Sequence, residues 1–498
     1  MRPILLPLCF WATSALGQYR PADLEPPLPA REFRAAWIAS VWNVDWPSRP
    51  GLPPSRQREE LTGILDVAAR TRLNAIIFQV RPEADALYPS KLEPWSYWLT
   101  GEQGKGPGDG YDPLAFAVRE AHARGIELHA WFNPFRGRST SQVKPAGGHA
   151  TRRHPEWLLE AGSQVWLNPG LPAVRERAIA VITDVATRYD IDGVHIDDYF
   201  YPYPKDGKAV FDDSKTYAGY RAKGGKLAVG DWRRAQIDGF VKELGGVVHR
   251  VGPQLKFGVS PFGIWRPGTP GTIEAGIDSY EDLAADSRLW LREGWVDYLS
   301  PQLYWRIDQE AQGFGTLVRW WSEQGRGRRH VWPGIASSRI RGEGSDRARR
   351  SLETVNQIAL TRRHATSGGG SGHAHWSMSA LMEDRDGLRA RLASGPYADL
   401  AVVPESPWLG GRGVTALPGL KATAAVDSVR LDWKRPERGS DAVRWWVVQT
   451  KGRTGGWTTA RILPGEAVST VVRGVPSALA LRAVDPAGRI SKAVCLGK

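Results

Sequence analysis

The 498-residue chain has only 2 cysteines and 3 methionines. One cysteine, Cys9, falls in what reads as a removable leader, so a mature chain keeps Cys495 alone and has no intramolecular disulfide. Beyond the first residues no stretch is apolar for long enough to span a bilayer, which argues against an integral membrane protein. The formal net charge is +13, yet no long Lys/Arg tract occurs; the basic residues are scattered, as in Arg347, Arg349, Arg350, Arg362 and Arg363. That pattern speaks against nucleic acid as a partner and suits an anionic envelope polymer or plain solubility. A Gly-rich phosphate loop after an early strand is missing, which disfavours a doubly wound nucleotide-binding sheet. No Gly-x-Ser-x-Gly elbow is present either, so an acyl hydrolase is not indicated.

Against these absences stand 23 tryptophans. Many must fill a core, but indoles also offer flat faces on which pyranose rings stack. Residues 1–17 read as an export signal: Arg2, an apolar stretch from Ile4 to Ala12, and Ala15-Leu16-Gly17 before Gln18. The protein is therefore expected to be exported, to the periplasm or beyond, and soluble after cleavage. Residues 18–30, with Pro21, Pro26, Pro27 and Pro29, form an extended lead-in.

A strand–loop–helix pattern then repeats eight times. Strands are expected at 33–41, 75–80, 127–132, 193–196, 256–260, 296–303, 330–335 and 373–377. Helices are expected between and after them at 55–72, 113–124, 173–189, 231–251, 286–293, 314–323, 346–364 and 385–392. Such alternation gives a parallel sheet, and eight units give a TIM (β/α)8 barrel over 31–395. A linker follows at 396–418, rich in Pro and Gly. Short β-prone runs at 423–433, 443–450, 458–463 and 478–484 then suggest a small fibronectin type III-like β-sandwich over 419–498.

The chain is organised around Gly193-Val194-His195-Ile196-Asp197-Asp198-Tyr199, read as a buried strand that ends on two acids. Neighbours on a strand face opposite ways, so one acid is expected in the barrel mouth and the other turned away. Strand ends elsewhere add Trp42, Asn43 and Asp45; Gln79, Arg81, Glu83 and Asp85; His129, Trp131, Asn133 and Arg136; Ser260, Trp265 and Arg266; Gln302, Tyr304 and Trp305. Acids, amides, arginines and aromatics converging on one rim describe a carbohydrate site. The catalytic candidates are Asp197 and Asp198, with Glu83 or Asp85 as partner. Arg81, His129, Asn133, Tyr199, Trp265, Arg266, Gln302, Tyr304 and Trp305 are candidates for holding substrate, with His129 equally able to be a packed core histidine. Asp286 is expected to cap its helix. His373 and His375 share one strand face but lack a third ligand, so neither a metal nor a cofactor is expected. The fifth strand ends on Ser260-Pro261-Phe262-Gly263 and supplies no carboxylate.

Six segments in order resemble a known family: "REFRAAWIASVWNVDWPS", "NAIIFQVRPEADALYPSKLEPWS", "GYDPLAFAVREAHARGIELHAWFNPFR", "GVHIDDYFYP", "FGVSPFGIWR" and "DYLSPQLYW". Together they resemble the glycoside-hydrolase-like family 10, formerly a bacterial domain of unknown function. The resemblance implies a TIM barrel and a glycosidase similar to the envelope enzyme that cuts peptidoglycan glycan strands already freed of peptides. The lipidation cysteine of anchored members is lacking, since Leu8 precedes Cys9. Two other readings stay open: a glycan-binding barrel without catalysis, and an envelope scaffold whose terminal sandwich contacts a protein or glycan.

Overall fold

The computed structural model describes residues 18–325, 327–341, 350–365, 371–411, 413–414, 419–435 and 443–498. The expected leader at 1–17 lies outside them, as do parts of the helix expected at 346–364 and of the stretch at 396–418. Nine short parallel strands form one curled sheet: Ala30–Ile38, Ala75–Arg81, Glu127–Phe132, Gly193–Ile196, Lys256–Val259, Tyr298–Leu299, His330–Val331, Gly334–Ile335 and Ser371–His375. His330–Val331 pairs with the sixth strand, and Gly334–Ile335 pairs with Ser371–His375, which returns to the first strand. Those two pieces are one segment interrupted by Trp332 and Pro333, so the sheet curls round as in a TIM-like barrel. Proline brings no N–H to a ladder. That accounts for this break, and Pro301 likewise accounts for the sixth strand, Tyr298–Leu299, ending short of the expected 303.

Helices such as Pro54–Arg70, Pro113–Ala123, Pro172–Arg188 and Val229–Val251 cover the outside. The first three open with proline at the start, where its missing N–H costs nothing. Asp112 caps the second through Ala115 N at 3.0 Å.

Large rings fill the barrel interior: Phe33, Trp37, Trp131, Tyr298 and Trp332 are all buried together. Small residues opposite them are obligatory. A Cβ on Gly193 would lie 2.6 Å from His129 Nδ1, on Gly258 1.9 Å from the Tyr298 ring, and on Gly372 2.4 Å from Trp332. Among these rings runs a polar chain. Trp37 Nε1 donates to His195 Nε2 at 3.3 Å, and the Tyr298 hydroxyl joins His195 Nδ1 at 2.9 Å to His129 Nδ1 at 2.8 Å. His129 Nε2 then meets Glu127 at 3.2 Å, and Glu127 accepts from Lys256 at 3.1 Å. His129 is thus a wholly buried link in the interior and cannot touch substrate, which corrects one of the expected binding roles.

The C-terminal residues form two antiparallel sheets that share a core including Leu431, Trp433, Trp446, Val472 and Leu479. The strand expected at 423–433 is a hairpin, Lys421–Ala424 and Ser428–Asp432, because Ala425 N bonds Ser428 O and turns the chain at exposed Val426. Arg20–Pro21 adds an edge strand to the larger sheet, and the carbonyls of Pro26 and Pro27 accept from Arg482 at 2.8 Å and Gln449 at 2.9 Å. The lead-in is a strap from these sheets into the first barrel strand. Within 396–418, Ala401–Val402 pairs with Ala30 and Arg31, and Trp408 Nε1 donates to Asp297 at 2.8 Å.

These sheets sit on the N-terminal ends of the barrel strands. Asp192, just before the fourth strand, accepts from Arg444 Nε at 2.5 Å, His122 Nε2 at 2.9 Å and Leu128 N at 2.8 Å. Burial alone would raise its carboxyl, but the charges of Arg444, His122 and Lys256 outweigh that and hold it well below the usual carboxylate range. Replacing Arg444 by Met leaves this buried carboxylate short of its main partner and should cost about 3 kcal/mol near neutral pH. Asp192 has a lowered folded pKa, so its contribution is present above the unfolded carboxyl pKa and is lost as pH falls below it. Urea titrations should therefore show the deficit of R444M at pH 7 shrinking below about pH 4; an equal deficit at both would contradict this account.

Candidate active site

The fourth strand stops at Ile196, whose carbonyl accepts from Ser260 N at 2.9 Å, and the chain then turns tightly, with Phe200 N on Asp198 O at 2.9 Å. Asp197 and Asp198 consequently lie on a turn, where the alternation of a strand no longer applies. Instead of facing opposite ways across the sheet, both lie within the field of Arg136. Arg136 comes from the long third loop, which holds an unforeseen antiparallel sheet of Arg136–Arg138, Leu158–Ala161 and Gln164–Leu167. Its guanidinium carbon lies 3.8 Å from the centre of the Tyr199 ring.

The two carboxyls have different company. Asp197 is 4% exposed and, among the described residues, accepts only from Trp131 Nε1 at 3.2 Å and Tyr199 N at 3.4 Å. Burial first, and then the neighbouring Asp198, push it up to about 8, against the pull of Arg136. Asp198 accepts from the Tyr203 hydroxyl and from Gln302; burial raises it too, with those bonds opposing the rise. Gln302 is itself held by Ser260 O at 3.2 Å.

Aromatic rings surround the pair. Phe262 stands between Tyr203 and Trp305, with centroids 6.4 and 5.7 Å away. Trp376 lies between Tyr304 at 6.5 Å and Trp131 at 6.0 Å. Tyr199, Gln302, Tyr304 and Trp305 are thus brought together with Asp197 and Asp198. Asn133 follows the third strand, accepts from Gln79 at 3.4 Å, and its buried amide nitrogen has no partner among the described residues.

Other candidates are placed elsewhere. Arg81 is 1% exposed and forked onto Glu93, with Nε–Oε2 at 2.7 Å and Nη2–Oε1 at 2.5 Å, so it anchors its loop and cannot bind substrate. Asp85 is fully buried, bonded to Glu83 N at 3.1 Å and Gln103 at 3.0 Å, and burial pushes it up to about 6. It shapes the second loop rather than the mouth. Glu83 is closer in role: it accepts from Trp98 Nε1 at 3.0 Å and Ser139 N at 2.5 Å, and it shares the field of Arg136 with the aspartates. Burial and Asp85 raise its carboxyl. Trp265 and Arg266 line a separate recess with Tyr280 and Arg288, where Trp265 Nε1 donates to Asp286 at 3.1 Å and Arg266 pairs with Asp278 at 3.2 Å. Asp286 also caps Leu289 N at 3.1 Å. His373 and His375 both turn Nε2 onto the Tyr397 hydroxyl; His375 Nδ1 also meets Ser337 Oγ at 2.8 Å, while the buried Nδ1 of His373 has no partner among the described residues.

Five residues described at the mouth have no role assigned from the sequence: Arg136, Trp131, Tyr203, Phe262 and Trp376. Trp131 could have been found from its place two residues after His129 on an inward face. Tyr203 sits in a loop whose course no spacing rule gives.

A model of the family described as Glycosyl hydrolase-like 10 matches residues 32–347. Glycosyl hydrolase YngK of Bacillus subtilis is 41% identical over 386 residues, covering 76% of this chain and 74% of that one. Glycosyl hydrolase DigH of Escherichia coli K12 is 34% identical over 330 residues, covering 61% and 73%.

The Asp197 carboxyl binds its proton more tightly folded than unfolded, so stability should fall as pH rises between about 4 and about 8. Asp197→Asn keeps an acceptor for Trp131 and removes the titration. Its stability relative to the wild type should grow across that window, by up to about 5 kcal/mol from the size of the shift. Melting curves at pH 5 and pH 8 check this; a constant difference would place the aspartate in a wetter site than described.

Proposed function

The chain belongs to the glycosyl hydrolase-like 10 family and is a glycosidase, and we propose that it works by carboxyl acid/base catalysis at the Asp197–Asp198 turn. The observation that carries this reading is the unequal environment of two adjacent buried carboxyls at the C-terminal end of a barrel strand. Asp197 stays protonated near neutral pH and gives its proton to the glycosidic oxygen as the C–O bond breaks. Asp198, held by Tyr203 and Gln302, is the base or nucleophile toward the anomeric carbon. Water supplies the hydroxyl that ends on that carbon: where Asp198 is the nucleophile, the water's proton returns to Asp197; where Asp198 is the base, it takes that proton and solvent reprotonates Asp197. Arg136 steadies the negative charge of the pair, while Tyr304, Trp305 and Trp376 offer rings to the sugar.

The substrate we favour is the glycan strand of peptidoglycan once its peptides are removed. The quoted segments support it, and so does a +13 charge suited to an anionic envelope. Residues 1–17 support export, and no helix among the described residues is long and apolar enough to cross a membrane. We read 31–395 as the catalytic barrel and 419–498 as a fibronectin type III-like sandwich, in keeping with two antiparallel sheets over one core.

Incubation with intact peptidoglycan, amidase-stripped peptidoglycan and a panel of neutral polysaccharides, with mass spectrometry of the products, tests the substrate. Stripped strands should yield glycan fragments and intact sacculi few. Asp198→Asn should lower kcat by roughly 10²- to 10⁴-fold. Wild-type activity should decline as pH rises through about 8, where Asp197 gives up its proton. Undiminished cleavage by D198N would remove Asp198 from the mechanism.

A further inference from the structure

We infer that Trp42 is a stacking platform for a sugar ring distant from the bond being cut, so that long glycan strands are better substrates than short oligosaccharides. This rests on the glycosidase reading and extends it to chain length.

Trp42 follows the first barrel strand on the same rim as the carboxyls. It is 52% exposed, the one large aromatic so open among the described residues. Its backbone lies in the left-handed region, φ 57°, and so does that of Asn43 at φ 51°. A bulky side chain is rarely found there, and two such residues in succession need outside support. Support is present. Asn43 Nδ2 donates to Pro47 O and Trp98 O, both at 2.9 Å, and Gln79 Oε1 accepts from Ser40 N and Val41 N, both at 2.9 Å. Folding alone would favour a glycine at this turn and a buried indole. The chain instead holds a strained loop in place and presents the ring to solvent.

A line of contacts joins this ring to the chemistry. Trp42 leans on Trp98 with centroids 5.2 Å apart. Trp98 bonds Glu83 at 3.0 Å, and Glu83 shares Arg136 with Asp197 and Asp198. A strand lying over the carboxyls and along this line reaches Trp42 only if it is several rings long. A short oligosaccharide centred on the carboxyls does not.

The test compares kcat/KM of the full-length protein on amidase-stripped peptidoglycan strands and on the tetrasaccharide of the same repeat. Trp42→Ala should lower the ratio of long to short about tenfold, and Trp42→Phe, which keeps a flat ring, should recover part of it. An unchanged ratio in W42A overturns the proposal. Melting curves separate a folding defect, which would lower both rates together and also count against the platform. If the wild type cleaves neither glycan, the substrate reading has failed, and co-sedimentation with the insoluble stripped glycan still reads the platform. W42A remaining in solution where the wild type pellets supports it; equal pelleting, or no pelleting by either, overturns it.

Discussion

One strand of four residues, Gly193–Ile196, carries a buried carboxyl beyond each end, and the two are driven to different protonation states. At its start Asp192 is hemmed in by Arg444, His122 and Lys256 and stays ionised. At its end Asp197 meets an indole, a backbone N–H and a second acid, and stays protonated. Burial is near-complete at both; the count of cations decides the outcome. The ionised end clamps the C-terminal sheets to the barrel, and the other end, proposed as catalytic, keeps its proton.

Between those ends the interior cannot relax. Glycines at 193, 258 and 372 leave no more room than the rings of His129, Tyr298 and Trp332 occupy. The polar chain within sets its own tautomers. Trp37 can only donate, so His195 accepts at Nε2 and carries its proton on Nδ1 toward the Tyr298 hydroxyl. That hydroxyl then donates to His129 Nδ1, and His129 donates through Nε2 to Glu127. Burial holds His195 neutral, in keeping with this order. A chain with each donor matched to one acceptor fixes the heights of four strands relative to one another. The turn bearing Asp197 and Asp198 inherits that rigidity.

Much of this was legible in the sequence, and the failures have physical causes. Strand–helix alternation points to the curled parallel sheet, and the acids after Ile196 point to the end of it proposed here as catalytic. Strand lengths were misjudged where Pro301 and Pro333 remove N–H donors. Arg81 and His129 stand in positions that suit substrate binding, but each finds a buried partner, Glu93 or Glu127, that periodicity does not reveal. The alternation rule misled for Asp197 and Asp198 because the strand ends one residue too soon for it to hold. Arg136 could be collected but not assigned, since its position depends on a small sheet folded inside a loop.

The placement of the C-terminal sheets decides how the mouth must work. They rest on the strand starts through Arg444, Pro486 and Ile462, with the Arg20–Pro21 strap sewn into their edge. The carboxyls lie at the opposite end of the barrel, a full strand length away. Among the described residues, the contacts of those sheets with the barrel are at the strand starts, away from the mouth. The rim loops at the mouth are the segments that carry both the strained Trp42 turn and the Arg136 sheet. Such loops need support from a scaffold that does not flex. The clamp at one end of the barrel and the precise chemistry at the other are in this sense a single arrangement, with the filled interior transmitting stiffness between them.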